Sequence, residues 1–273
     1  MSVPPLDHST AAGYSLAHAY WLAHAARAAY KTPRQAEQLT RDWGFDRFRH
    51  FSSPHTKPFP IDDTQAYVAG SDRMVLVAFR GTEPQQIRDW LSDTDTPPVP
   101  GPAGKGFVHF GFHRAHHVVH PDIIGTIAEF ADNGQSVWVT GHSLGGALAM
   151  LAGAHMHFEA PNLTPDGVYT YGQPRTCDRM LATAYDTALK NRTFRFVNNN
   201  DIVPRVPPAP AFTHVDTLRY FDANGRLHDS MPAVAKVADK RIGATVDLFA
   251  PASDGVRDHN IDRYITHLEM NLA

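Results

Sequence analysis

Ser143 stands in Gly141-His142-Ser143-Leu144-Gly145, with a glycine two residues to either side. The segment before it, Ser136-Val137-Trp138-Val139-Thr140, is apolar and partly β-branched and predicts a buried strand. The segment after it, Gly146 to Ala154, is rich in helix formers. Strand, sharp turn and helix hold a serine with its hydroxyl raised and a helix N-terminus beneath it. Unpaired N–H groups at that N-terminus are available where negative charge develops. The chemistry this suits is attack by the serine on an acyl carbonyl. A serine is a weak nucleophile, so it needs a base, and the base needs an acid to orient it.

Asp201 suits the acid. It follows Thr193-Phe194-Arg195-Phe196-Val197, a predicted strand that runs out in Asn198-Asn199-Asn200, and it precedes Ile202-Val203-Pro204. Asp216 and Asp222 are weaker rivals, within or just after a second strand pair. Four histidines follow Asp201. His267 falls inside a predicted C-terminal helix, on its surface; His228 lies beside a turn; His214 begins a predicted strand. His259 lies in the loop just before the last helix, where a packed helix could anchor it, and it is favoured as the base. A tetrahedral intermediate needs donors placed in advance. One is the backbone N–H of Leu144; the second falls in the loop Phe79-Arg80-Gly81-Thr82-Glu83, where Thr82 could offer its N–H and its hydroxyl.

The positioning elements follow from pattern. Tyr14 to Tyr30 reads as an Ala-rich helix stopped by Thr32-Pro33. Residues 31–60 read as short helices and loop. Gln65–Val68 and Met74–Phe79 flank the turn Gly70-Ser71-Asp72 and predict a hairpin. Thr96–Gly106, rich in proline and glycine, excludes regular structure. His113–Phe130 predicts a helix with a break near Pro121. Gly167–Tyr171 predicts a strand, Met180–Lys190 a helix, and His214–Tyr220 a strand paired across Asn224-Gly225. Ile261, Tyr264, Ile265 and Leu268 fall at i, i+3, i+4 and i+7 of a last helix. Strands alternating with helices predict an α/β domain with a mostly parallel sheet covered on both faces, spanning residues 1–273.

These stretches together resemble the class 3 lipase family, that of filamentous-fungal triacylglycerol lipases and their feruloyl-esterase relatives. The resemblance rests on Val77–Thr82, Ile87–Asp93, Val108–Phe112, Val139–Ala149, Tyr171–Arg175, Asn200–Pro204 and Asp258-His259, in the family's order. It implies an α/β-hydrolase fold, with Ser143 as nucleophile, Asp201 as acid and His259 as base. It also implies an oxyanion hole at Thr82 and Leu144, and a lid helix at Ile87–Asp93 within a lid region of residues 83–106. Read physically, Ile87, Trp90 and Leu91 lie at i, i+3, i+4 and give such a helix one apolar face, either for covering a cleft and contacting an acyl chain or for packing into the core as a fixed helix. The activity implied is hydrolysis of carboxylic esters, foremost acylglycerols, through an acyl-enzyme and without a cofactor. Phospholipase A1 activity, or hydrolysis of small soluble or aryl esters, is the alternative among hydrolases. A non-catalytic binding protein on the same fold is the alternative outside them.

Other residues invite other chemistry. His113, His116, His117 and His120 fall at helical spacings, but no H-E-x-x-H pattern and no carboxylate lie among them, so no metal is expected. His142 is expected to support the turn around Ser143 by hydrogen bonding. Cys177, the only cysteine, is placed in a polar turn without a base. With 273 residues, 42% hydrophobic content and a net charge of -3, the chain has the makings of a large core and no basic surface for nucleic acid. No stretch is apolar for long enough to span a membrane. No signal peptide is visible at the start, and one cysteine excludes an internal disulfide; both favour a cytoplasmic setting, with secretion of a mature or truncated form left open.

Overall fold

The computed structural model describes residues 4–8, 13–54, 63–82, 97–215, 217–231 and 254–273. Its centre is a sheet of eight strands among these residues. Along the sheet these are β1 (Arg47–Pro54), β2 (Asp63–Gly70), β3 (Met74–Phe79), β6 (Ser136–His142), β7 (Gly167–Tyr171), β8 (Thr193–Asn198), β9 (Leu218–Phe221) and β10 (Leu227–His228). Pairing from β3 through β9 is parallel, and the outer pairs at both edges are antiparallel. Two short strands, β4 (Val99–Pro100) and β5 (Phe107–Val108), form a separate ribbon.

Helices cover both faces, as the continuous apolar character of β3 requires. Val75, Val77 and Phe79 point into one core, filled by α3 (Phe110–His117), α4 (His120–Phe130), α5 (Leu144–Glu159) and α6 (Arg179–Leu189). Leu76, Ala78, Trp138 and Tyr169 point into the other, filled by α1 (Leu16–Ala28) and α8 (Ile261–Leu272), with α2 (Pro33–Asp42) at its margin. A two-residue period thus divides each buried strand between two cores. Tyr264, Ile265 and Leu268 turn the apolar stripe of α8 inward, as their spacing predicts.

Several expectations are corrected. Thr32-Pro33 does more than stop α1. Thr32 caps α2 in a capping box with Gln35, and Pro33 takes the first turn, where its missing N–H costs nothing. Within residues 31–60, which read as short helices and loop, the structure forms β1, an edge strand whose Phe48 and Phe51 pack on opposite cores, so no apolar stripe marks it. Thr96–Gly106 holds β4 and a 3₁₀ turn at Pro102–Gly104. The break in His113–Phe130 comes at Val118-Val119, and Pro121 sits in the first turn of α4, where proline is tolerated. His214 is no strand residue: it is half-buried, with its Nε2–H donating to the Pro204 carbonyl. His267 is half-buried against Phe221 and Gly225. Cys177 is fully buried, bridged to Val108 and Thr213, and burial pushes its thiol pKa up, so it is inert.

The turn between β6 and α5 depends on close backbone approach. A Cβ at Gly145 would overlap the Phe79 carbonyl oxygen and lie 2.9 Å from its carbon. One at Gly141 would overlap the Gly145 carbonyl. Alanine is favoured over glycine in a helix by about 1 kcal/mol, but here backbone must move, at a cost on the order of 3 kcal/mol. Gly145→Ala is therefore expected to lower the urea midpoint of unfolding at unchanged slope. A midpoint at or above that of the parent would show that strand and helix are not so tightly apposed.

Candidate active site

Ser143 lies between β6 and α5 with φ 62° and ψ -130°, a conformation that non-glycine residues rarely adopt. Its N–H donates to the Tyr171 carbonyl at 2.8 Å, and its carbonyl accepts from Gly146 N at 2.9 Å. These bonds hold the strained turn on the neighbouring strand. The Ser143 hydroxyl is buried and makes no hydrogen bond among the described residues.

Asp201 and His259 meet as their order in the chain suggested. His259 Nδ1 lies 2.9 Å from both carboxylate oxygens of Asp201, and both residues are about 1% exposed. A carboxylate only accepts, so Nδ1 carries a proton, and Nε2 is the ring atom left to present a lone pair to the serine. That Nε2 is buried and unbonded, as is the Ser143 hydroxyl. Asp201 is held by two further donors: Val203 N to Oδ1 at 2.9 Å, and the Tyr264 hydroxyl to Oδ2. Burial and the nearby Asp201 charge keep the Tyr264 phenol protonated far above its usual pKa, so it remains a donor.

Asp258 fastens the loop of the acid to that of the base. It begins this task where α7 (Asp254–Asp258) ends, and it is buried. Its carboxylate accepts from Asn199 Nδ2 at 3.0 Å, Asn200 N at 3.2 Å and Arg263 at 2.9 Å, while its carbonyl accepts from Asn198 Nδ2 at 2.9 Å. Hydrogen bonds to a charged group contribute about 1.5–3 kcal/mol each, enough to fix both loops. Gly172, at φ 59°, closes the other side. A Cβ there would sit 2.7 Å from Asp201 Oδ2 and 2.8 Å from the His259 ring.

His142 supports the turn, as expected, and its partners can be assigned. Nε2 lies 2.7 Å from the His259 carbonyl, which can only accept, so Nε2 is protonated. Burial, with the His259 ring beside it, holds the His142 pKa well below 6.5. The ring is thus neutral, and its Nδ1 accepts from the Tyr30 hydroxyl at 2.8 Å. Tyr30, Gly172 and Tyr264 are missed by sequence reasoning; Tyr264 appears there only as an apolar helix position.

Leu144 follows the serine directly, and Thr82 lines a cleft together with His142 and His259. Leu144 is the first residue of α5, so its N–H has no acceptor within the helix. The Gly81 backbone is pressed on the turn: a Cβ there would be 3.0 Å from Ser143 Cβ and would overlap the His142 carbonyl. A cleft of about 900 Å³ opens beside Thr82, His142 and His259, with Trp21, Leu39 and Trp43 as an apolar wall and Arg27, Lys31 and Asp262 at its rim. Ile87, Trp90 and Leu91, with residues 83–96 as a whole, lie outside the described residues, as does Asp216. Asp222 is occupied elsewhere, bonded to His228 at 2.9 Å.

A parallel sheet with helices on both faces and a serine on the turn after a central strand defines the α/β-hydrolase fold. Residues 76–211 match the class 3 lipase family. The chain belongs to that family. It is 37% identical over 157 residues to a lipase of Rhizomucor miehei, a match covering 55% of this chain and 42% of that protein. To a secreted mono- and diacylglycerol lipase of Penicillium cyclopium it is 34% identical over 152 residues, covering 54% and 48%. The matches therefore span less than half the length of these curated relatives. The fold is similar to that of the R. miehei triacylglyceride lipase, with a TM-score of 0.63 at 25% identity, covering 88% of this chain and 90% of that one.

Proposed function

We propose that the chain is a serine carboxylic-ester hydrolase acting on acylglycerols. The observation that carries this reading is the buried His259–Asp201 pair, its Nε2 left unbonded, in the same site as a strained serine whose hydroxyl is also unbonded. Ser143 attacks the ester carbonyl as His259 Nε2 takes its proton. Asp201 keeps the imidazole in the required tautomer and stabilises the imidazolium. The N–H groups of Leu144 and Thr82 receive the oxyanion. His259 then protonates the departing alcohol and activates water to release the acid. Separate hydrogen bonds on resting catalytic atoms often tighten only with substrate bound. The cleft is at the upper end of the roughly 300–1,000 Å³ usual for ligand sites. Its apolar wall suits an acyl chain, and its charged rim suits a glycerol head.

A fluorophosphonate should label one serine, Ser143, and the label should be absent from Ser143→Ala. An unlabelled protein would favour the non-catalytic binding reading. A series of glycerol esters of rising chain length, run through the solubility limit, should show turnover increasing once the substrate forms an interface. Turnover confined to short or aryl esters would make it a soluble esterase, and release of fatty acid from phosphatidylcholine a phospholipase. Equal rates below and above the solubility limit would remove the case for an opening lid at Ile87–Leu91.

A further inference from the structure

The histidines of α3 and α4 do not share one face. His113 and His117 stack at the surface at 5.6 Å, whereas His116 and His120 turn toward α5. There they meet His155 and Glu159, one turn apart near the C-terminal end of α5. The ring of His155 lies 4.9 Å from that of His116 and 4.6 Å from that of His120. One ligand atom each from His120, His155 and Glu159 fall within 4.8 Å of one another. The carboxylate absent from the sequence cluster is thus supplied by a different helix. Two pairs spaced i, i+4, one from each side, face each other.

An ordinary helix pair accounts for only part of this. His155 Nδ1 lies 2.8 Å from Glu159 Oε2, a common i, i+4 contact. It leaves His120 without a role. It also leaves His116 Nε2 buried and unbonded in a side chain only 2% exposed, a state that costs about 1–3 kcal/mol. Glu159 Oε1 accepts from Ala103 N at 2.7 Å, an outer contact of the sort that orients a metal-binding carboxylate.

We propose that His120, His155 and Glu159 bind a divalent transition-metal ion, zinc by the chemistry of the donors, with His116 Nε2 available as the fourth ligand. Two or three imidazoles and one carboxylate form a donor set that zinc accepts in tetrahedral geometry. Ligands at about 2.0–2.1 Å from such an ion lie roughly 3.4 Å apart, so the present separations close by side-chain rotation of about an ångström. The site is some twelve residues along α5 from Ser143, about 18 Å at 1.5 Å per residue. Its role is structural: it ties the end of α5 to the α3–α4 junction and to the loop at Ala103.

The test uses the full chain, stripped with a chelator, titrated with zinc by calorimetry and with cobalt by absorption spectroscopy. One equivalent should bind, give intense tetrahedral cobalt bands and raise the Tm, leaving kcat at 25 °C unchanged. His120→Gln and Glu159→Gln should each weaken binding at least tenfold while the metal-free variants keep the parent circular dichroism spectrum. His113→Ala/His117→Ala should bind as the parent does. Absence of one-to-one binding would overturn the proposal. So would affinity that survives both glutamine variants or vanishes with the surface pair.

Discussion

Ser143→Ala is expected to lower kcat on an acylglycerol ester by a factor on the order of 10⁴ or more, with the fold intact and slightly more stable. The catalytic part follows from removing the only atom proposed to form the acyl-enzyme; residual turnover would come from the oxyanion donors and binding alone. The stability part follows from surroundings. The hydroxyl is buried and unbonded, so its loss breaks nothing and removes an unsatisfied polar group, worth about 1 kcal/mol. Alanine keeps the Cβ, so strain at φ 62° is unchanged. Most enzyme mutations trade in the other direction, losing stability with activity. Denaturant melts and single-turnover kinetics on the same preparation measure both effects. Parent-like turnover would refute Ser143 as nucleophile; a markedly lower melting midpoint would mean that its hydroxyl has a structural partner.

Legibility of the fold followed the strength of local signals. Gly167–Tyr171 is readable because five buried residues in a row leave no other use for the segment. α8 is readable because its stripe has one period and one destination. β1 is not, since an edge strand that sends Phe48 one way and Phe51 the other has no period to detect. Thr32-Pro33 reads as a stop from the left and a start from the right, and only tertiary packing shows that both hold. Cys177 looked polar because its neighbours are polar; its burial comes from strands distant in sequence.

In the candidate site, Ser143, Asp201 and His259 stand out in the sequence because each lies beside an element whose type the sequence predicts, the first two after strands and the third before the last helix. Their supports do not. Tyr264 counts as apolar in any periodicity, although its hydroxyl is bonded to Asp201. Asp258 looked like a neighbour of the base, yet it holds three consecutive asparagines of the acid's loop. Glu159 is thirty-nine positions after His120, and no spacing rule links them. Contacts between elements are the part of a site that one sequence conceals.

Asp201→Asn is expected to cost about 10⁴ in kcat with little change in KM. The carboxylate accepts from three directions: His259 Nδ1, Val203 N and the Tyr264 hydroxyl. An asparagine has one oxygen and one donor group for these positions. Val203 N is a fixed donor, so the amide oxygen turns to it, and the NH₂ group is left facing Tyr264 and His259. The phenol can rotate and accept from it. Imidazole can adapt only by moving its proton to Nε2, which makes Nδ1 the acceptor and removes the lone pair needed to deprotonate Ser143. The loss is therefore of tautomer rather than position, and the fluorophosphonate reaction should slow in parallel with ester turnover. Asp222→Asn is the matched control. That residue is bound to His228 beyond the β9 strand, and its variant should stay within about twofold of the parent. An effect under tenfold for Asp201→Asn would mean that His259 is oriented by another group, the His142 bond to its backbone carbonyl included.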